Sequence, residues 1–312
     1  MKQYKKILLL FLLIVFASSI IAPMVKILLD SFLPSNSFMV NLLDYEDGRY
    51  NFARVMRRIL MVVAILFIFL LRKSLKFPSF GAIGLKPSKG CWQQLQMGFL
   101  ISTGMFIFYF AFLYIYGTIT FQIDIKSFGN LIGKLLSLIL VAVIVGCVEE
   151  LIFRGFIFQS VLKDTKVLFA VCFSSIFYSL LHFFKSDFLA TPGFQPFIGF
   201  LVVYQSFANI IVNIAEILPL IIGLFIVGTV LSYAYLKTNS LYLSIGLHAG
   251  WVFLIKANRL FFDFVGSKSG WLFGDRKLIN GIIGWSFLIV TFIIIHFVTK
   301  APHNGKNIAR TC

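Results

Sequence analysis

The feature of this sequence that most constrains its fold is a series of long apolar segments. A helix that crosses the hydrocarbon core of a bilayer needs about 20 mainly apolar residues. Nine such segments occur, at roughly 7–29, 56–71, 97–121, 131–153, 167–184, 196–215, 217–236, 241–256 and 278–299. Backbone groups in hydrocarbon must be satisfied within helices or closed barrels, and no segment alternates with the period of two that barrel strands require. The sequence therefore predicts an all-α fold, a polytopic transmembrane helical bundle.

The number of membrane crossings is open between eight and nine. Segment 196–215 contains Gln205, Asn209 and Asn213, and Glu216 follows it directly. This polarity favours a segment that is buried among other helices or that re-enters the membrane without crossing it. We therefore predict about eight spans, with nine as the alternative if every segment crosses.

Composition agrees with a membrane location. Only 13% of the 312 residues are charged, against about 25% in typical soluble domains. The chain also contains 38 Phe, more than a water-facing surface could cover, whereas lipid solvates them readily. The sequence thus predicts an integral, multi-pass membrane protein, located in the cell inner membrane if the source is bacterial.

The strong positive charge is explained by the membrane rather than by nucleic acid. The formal net charge is +16, and the basic residues cluster at the ends of apolar segments, as in "MKQYKK", "RVMRR", "RKSLK" and "KPSK". Such clusters are typical of the positive-inside bias and of attraction to anionic lipid headgroups. Anionic lipids are therefore predicted partners, and nucleic acid is not.

Ionisable side chains within the apolar segments are few, and such residues usually mark a function or a buried pair. Lys26 and Lys134 lie near span ends, where a long side chain can carry its charge out to water. Glu150 and Arg154 are four residues apart, so an α-helix places them on one face as an ion pair. Glu149 points about 100° away round the helix. This second carboxylate needs another partner or a function.

Two histidines in other apolar segments extend this pattern. His182 and His248, together with the surplus carboxylate of Glu149, are the residue types that activate water for hydrolysis. Buried ionisable groups serve proton relays and ion pathways as well, so polarity alone leaves a transporter open. His296, with no polar neighbour in sequence, is interpreted as a hydrogen-bonded core residue.

The order of these motifs is similar to that of a known family. The stretch "EELIFR" from Glu149 to Arg154 has the form Glu-Glu-x-x-x-Arg, and "YSLLH" and "SLYLSIGLHAGWVF" then supply His182 and His248. With the lead-in "IGLKPSKG", the chain resembles the CPBP family over about residues 80–256. That family comprises the type II CaaX prenyl endopeptidases and related bacterial membrane proteins linked to bacteriocin processing and self-immunity.

The resemblance implies an intramembrane endopeptidase of roughly eight helices, with a cavity open to the cytoplasmic side and the membrane. Its substrate would be a membrane protein or a lipidated peptide, such as a prenylated CaaX sequence. Glu149 would be the general base, His182 would share the attacking water, and His248 would stabilise the oxyanion. Glu150 and Arg154 would hold the site in shape.

The resemblance leaves the use of a metal open. Family members are often called metalloproteases, and Glu149, His182 and His248 could hold Zn²⁺. They could equally form a metal-free site in which Glu and His activate water. We favour the metal-free site, because a general-base role for Glu149 leaves two imidazoles for a metal that takes three protein ligands.

Two positions depart from the family pattern. The family usually has Phe four residues before the first histidine, where this chain has Tyr178, and Asn or Asp four residues after the second, where it has Val252. The first change keeps the ring, but the second removes a polar partner of His248, for which Asn209, Asn213 or Asn258 could substitute. The alternative is a catalytically impaired scaffold or immunity protein with the same fold.

The resemblance also divides the chain into three predicted regions. Residues 1–79 would be N-terminal membrane helices, 80–260 the protease-like core, and 261–312 the last transmembrane helix with a basic tail.

Overall fold

The computed structural model describes residues 2–32, 50–71, 80–85, 90–122, 128–184, 186–191, 193–265 and 270–299. The helices are α1 (Gln3–Phe32), α2 (Phe52–Leu71), α3 (Cys91–Ile115), α4 (Phe128–Glu150), α5 (Val167–Leu181), α6 (Ile198–Val212), α7 (Ile214–Thr238), α8 (Tyr242–Phe261), α9 (Gly270–Phe273) and α10 (Ile282–Val298), with a 3₁₀ turn at Phe80–Ile83. The strands are β1 (Tyr50–Asn51), β2 (Ile119–Phe121), β3 (Leu189–Ala190) and β4 (Phe262–Phe264). They form two short antiparallel pairs, β1 with β3 and β2 with β4.

The predicted all-α membrane bundle is confirmed, since each of the nine apolar segments contains a helix. In the part of the chain that the structure describes, four helical segments are long and apolar enough to cross a bilayer: Gln3–Ser31, Cys91–Ile115, Leu131–Leu162 and Ile214–Thr238. Three shorter apolar helices are Val167–Leu181, Ile198–Val212 and Ile282–Val298. The choice between eight and nine crossings stays a prediction.

The chain forms two compact units, of which the first comprises Met1–Lys76 and Leu180–Ile217. Within this unit α1 packs against α2 and α6. The contact between α1 and α6 is close, because a Cβ added at Gly199 would overlap the backbone of Ser19.

Lys26 in the first unit does not extend to water as the sequence suggested. Its side chain is fully buried, forms an ion pair with Asp30 one turn further along α1, and donates to the Gly193 carbonyl at 2.7 Å. The Tyr50 hydroxyl donates to the other oxygen of Asp30 at 2.9 Å. The expectation for Lys26 was wrong because a carboxylate within one turn neutralises the ammonium where it stands. Lys134, by contrast, is exposed as expected.

The second unit comprises Phe77–Ser179 and Leu218–Cys312, and its centre is α8. This helix packs against α3 on one side and α4 on another. A Cβ at Gly246 would overlap the Leu95 carbonyl of α3, and a Cβ at Gly98 would overlap the Leu243 carbonyl of α8. Small residues of this kind let membrane helices approach until their backbones touch.

The contact of α8 with α4 depends on Gly146. A Cβ there would lie 3.2 Å from the Ala249 backbone nitrogen and 3.4 Å from the Ile245 carbonyl oxygen. Because Ala249 follows His248 directly, this crossing holds the first half of α8 beside the end of α4. The glutamates of the "EELIFR" motif occupy that end.

We predict that Gly146→Leu destabilises the protein by about 1–3 kcal/mol, because the added side chain overpacks the α4–α8 crossing. The matched control is Gly133→Leu on the same helix, where an added Cβ meets no atom within 4 Å. Thermal unfolding in detergent, followed by circular dichroism, compares the two variants. Equal melting temperatures would contradict the close crossing.

Candidate active site

The hydrogen-bonding pattern of α4 changes within the Glu-Glu-x-x-x-Arg motif. The α-helix Phe128–Glu150 continues as a π-helical stretch, Leu151–Phe158, and ends with the α-helical turn Gln159–Leu162. Glu149 and Glu150 are thus the last α-helical residues, and Arg154 lies in the π stretch. π-Helical turns are rare and occur often at functional sites. The sequence predicted a plain α-helix here, and nothing in the motif signalled the change.

The predicted ion pair between Glu150 and Arg154 is confirmed. Arg154 Nη1 donates to Glu150 Oε1 at 2.8 Å, and both side chains are almost completely buried. Arg154 Nη2 donates to the Gly228 carbonyl of α7 at 3.1 Å. The guanidinium therefore neutralises one carboxylate and also ties α4 to α7.

Glu150 has a second partner that sequence reasoning missed. Its Oε1 also lies 2.8 Å from His248 Nδ1. A carboxylate paired with Arg154 is ionised and can only accept hydrogen bonds, so the Nδ1 of His248 carries the proton. The two residues are 98 positions apart, and no spacing in the sequence could have revealed the contact.

This bond directs the other ring nitrogen of His248 toward Glu149. The Nε2 of His248 lies 3.6 Å from Glu149 Oε2, which is longer than a hydrogen bond. Glu149 is the more accessible acid, with 19% of its side chain exposed, whereas Glu150 has none. The two adjacent glutamates therefore differ in environment, with Glu150 buried in an ion pair and Glu149 facing the imidazole and the surface.

Tyr178 of α5 completes the aromatic wall of this cluster. The Arg154 guanidinium carbon lies 4.7 Å from the centre of the Tyr178 ring, within cation–π range. The same ring meets His248 edge to face at 6.1 Å and Phe153 at 5.0 Å. The structure thus brings together Glu149, Glu150, Arg154, Tyr178 and His248, five of the six residues predicted for the site.

The sixth predicted residue, His182, belongs to a different compact unit from the other five. It occupies the turn that follows α5, is half-buried, and belongs to the first compact unit. Its part in a shared site stays a prediction, as do the roles of the other five residues.

Val252 cannot provide the polar partner that the family pattern places next to the second histidine. Asn258 does not replace it as a hydrogen-bond partner of His248. Ten residues along α8 separate Asn258 from His248, which is about 15 Å, and the Asn258 amide donates to the Ile255 carbonyl. Asn209 and Asn213 belong to the first unit, so their contribution stays a prediction. Glu150 is the residue that holds the Nδ1 of His248 in the structure.

His296 does have a hydrogen-bond partner, although it is not a core residue as the sequence suggested. Its Nδ1 lies 2.6 Å from the Tyr233 hydroxyl of α7, and its ring is exposed on the surface of the second unit. The core interpretation was wrong because a tyrosine from another helix satisfies the imidazole at the lipid-facing surface.

A catalytic zinc takes three protein ligands and a water. Within the second unit the Nε2 of His248 and the carboxylate of Glu149 face each other, whereas Nδ1 of the histidine is bound to Glu150 Oε1, which also pairs with Arg154. Among the residues that the structure describes, no group of three or more His, Cys, Asp and Glu side chains is arranged to hold a metal ion. The donor set of this unit therefore does not complete a zinc site by itself.

Comparison with known proteins gives one family match. Residues 131–254 match the model of the type II CAAX prenyl endopeptidase Rce1-like family. No curated protein and no solved structure was found to match the chain. The matched range contains every predicted site residue and lies within the predicted 80–260 core, whose outer boundaries stay predictions. The match confirms the resemblance drawn from the motifs, and with the apolar helices it shows an integral membrane protein.

We predict that Arg154→Leu destabilises the protein by about 3–5 kcal/mol, because it leaves the Glu150 charge buried without its cation. The matched control is Arg276→Leu, which removes an exposed pair with Asp263 of similar length, 2.9 Å, and should cost less than about 1 kcal/mol. Melting temperatures in detergent distinguish the two. A loss no larger for Arg154→Leu than for Arg276→Leu would show that the buried pair does not hold the bundle.

Proposed function

We propose that this chain is an intramembrane endopeptidase, a proposal supported by the match of residues 131–254 to the model of the type II CAAX prenyl endopeptidase Rce1-like family. It hydrolyses a peptide bond of a membrane-associated substrate, of which a prenylated CaaX peptide is the type implied by the family. The observation that carries the proposal is the placement of the Glu149 carboxylate 3.6 Å from the His248 imidazole, with the far side of that imidazole fixed by Glu150.

Glu149 is proposed to activate the attacking water. Two atoms 3.6 Å apart can both contact one water that lies to the side of the line joining them, about 2.8 Å from each, so a single molecule can bridge Glu149 Oε2 and His248 Nε2. The ionised carboxylate takes a proton from this water as its oxygen forms a bond to the substrate carbonyl carbon. Part of the Glu149 side chain is exposed, which supports access of water to the carboxyl group, although Oε2 itself is buried.

His248 is proposed to stabilise the oxyanion of the tetrahedral intermediate. Because its Nδ1–H is donated to Glu150, the ring must carry a second proton on Nε2 in order to donate to the oxyanion. Arg154, Glu150, His248 and Glu149 then carry two positive and two negative charges in total. Such a balanced cluster avoids leaving a net charge in a medium of low polarity.

Collapse of the intermediate breaks the carbon–nitrogen bond. The proton that Glu149 took from water moves to the leaving nitrogen, so the products are a free carboxylic acid and a free amine. Glu149 returns to its ionised form, and no oxidant or other reactant is consumed.

An apolar cavity, which begins about one to two turns after His248 on α8 and extends away from it to Phe261, supports a lipidated or apolar substrate. It has a volume of about 530 Å³ and is walled by aromatic residues that include Phe110, Phe253 and Phe261. Phe253 is five residues after His248 on α8, which is about 8 Å along the helix axis. A hydrophobic chain in this cavity would hold the adjoining peptide near Glu149.

We predict that Glu149→Gln lowers the rate of hydrolysis by about 10²–10⁴-fold, because the amide cannot accept the proton of water. The matched control is Glu216→Gln, which changes an exposed acid at the start of α7 and should keep full activity. The assay uses full-length protein in nanodiscs and fluorogenic CaaX peptides with and without a farnesyl group. Full activity of Glu149→Gln would remove Glu149 from the base role.

Failure of the wild-type protein to cleave either peptide or any co-reconstituted membrane protein would favour the scaffold alternative.

The histidines are tested in the same assay. We predict that His248→Ala costs about 10²–10³-fold in rate, as expected for an oxyanion donor, and that His182→Ala also causes a large loss. His296→Ala is the matched control, since it removes an imidazole that pairs with Tyr233 on the surface. Activity in His182→Ala equal to that of His296→Ala would refute the predicted role of His182 while leaving the other residues in place.

A further inference from the structure

An open groove lies on the surface of the second unit, and none of its lining residues is a candidate active site residue. Its volume is about 560 Å³, and it runs between the start of α5, the second half of α7 and the end of α10. Its lining consists of Lys166, Val167, Leu168, Val171, Thr229, Tyr233, Leu236 and Phe292. Seven of these eight residues are uncharged, and Lys166 is the exception.

Lys166 marks the polar end of the groove. It is exposed and immediately precedes Val167, where α5 begins. From Leu236 near the end of α7 to Thr229 is seven residues, so the groove extends roughly 10 Å along that helix. One end of the groove is therefore cationic, and the rest is an apolar channel along the helices.

The surroundings of Lys166 are basic. Lys163 is exposed in the same connection, and Lys237 lies in the last turn of α7 next to the lining residue Leu236. Asp164 is the one acid within 163–171 and 229–238, all of which the structure describes. Three lysines against one aspartate leave a net charge of +2 at this end.

The apolar walls of the groove are packed against one another and exposed at the protein surface. The rings of Tyr233 and Phe292 pack with centroids 4.1 Å apart, joining α7 to α10 along the groove. Leu168 is 74% exposed at the start of α5, a degree of exposure that only hydrocarbon covers without cost. A lipid chain is therefore the natural occupant of the channel.

We propose that this groove is a binding site for an anionic glycerophospholipid of the surrounding membrane. The phosphate lies at Lys166, with Lys163 and Lys237 adding to the positive field, and an acyl chain lies along Val171, Tyr233 and Phe292. The charge at the rim distinguishes this site from nonspecific lipid contact, because each lysine near a headgroup favours an anionic lipid by roughly fivefold. The site does not depend on the proposed hydrolysis.

The test measures lipid binding to the delipidated full-length protein by native mass spectrometry. Phosphatidylglycerol and phosphatidylcholine with the same acyl chains are titrated separately. We expect the wild-type protein to bind phosphatidylglycerol about 5–25-fold more tightly, from one to two effective lysines. Equal affinity for the two lipids would overturn the proposal.

Three variants separate the headgroup from the channel. Lys166→Gln should weaken phosphatidylglycerol about fivefold and leave phosphatidylcholine unchanged. Val171→Trp, which fills the channel and keeps every lysine, should weaken both lipids. Lys134→Gln removes an exposed lysine of α4 outside the groove and should change neither. The proposal would be overturned if Lys166→Gln bound phosphatidylglycerol as tightly as Lys134→Gln does. It would also be overturned if Val171→Trp bound both lipids as tightly as the wild-type protein does.

Discussion

The arrangement of the second unit depends on one buried carboxylate, that of Glu150. An unpaired charge inside a membrane bundle costs several kcal/mol, so a fully buried glutamate persists only where a cation and hydrogen-bond donors reach it. Arg154 reaches it from the same helix and His248 from α8, each at 2.8 Å. Because Arg154 also donates to the Gly228 carbonyl, the carboxylate and its arginine connect α4, α7 and α8 through three short contacts.

This arrangement separates the tasks of two adjacent acids. Glu150 is committed to its ion pairs, and by accepting the Nδ1 proton it fixes which nitrogen of His248 turns to the site. Glu149 keeps part of its surface open and faces the other nitrogen. Two carboxylates with different environments are a common basis for assigning different chemical roles to neighbouring residues. In this chain one glutamate orients the imidazole, and the other is the residue to which we assign the base role in the proposed hydrolysis.

The short contacts require close approach of the helix backbones, which glycine permits. At Gly146 an added Cβ would lie 3.2 Å from the backbone of α8, a tight contact, and at Gly98 and Gly246 the backbones of α3 and α8 approach still more closely, so that a Cβ at either position would overlap a carbonyl oxygen. An imidazole is short, so His248 can bridge to both glutamates only if α4 and α8 approach in this way. The small residues are therefore as necessary to the site as the polar ones.

Several features of the molecule were determined by the sequence alone. The long apolar segments predicted membrane helices, because hydrocarbon forces a chain to satisfy its own backbone, and each segment does contain a helix. The four-residue spacing of Glu150 and Arg154 predicted their ion pair, because helix geometry makes such residues neighbours. The motif order predicted the family that residues 131–254 match. All of these depend on local spacing or on composition.

The tertiary structure alone decided which side chains meet across helices. The bond from His248 to Glu150 joins residues 98 apart, and the partner of His296 is a tyrosine on another helix. The burial of Lys26 and the π-helical stretch in α4 were likewise not predicted. Such contacts follow from how helices cross and rotate, which depends on packing along their full length. The pattern of apolar and polar residues determines which segments enter the membrane. Packing determines which faces of those helices contact one another.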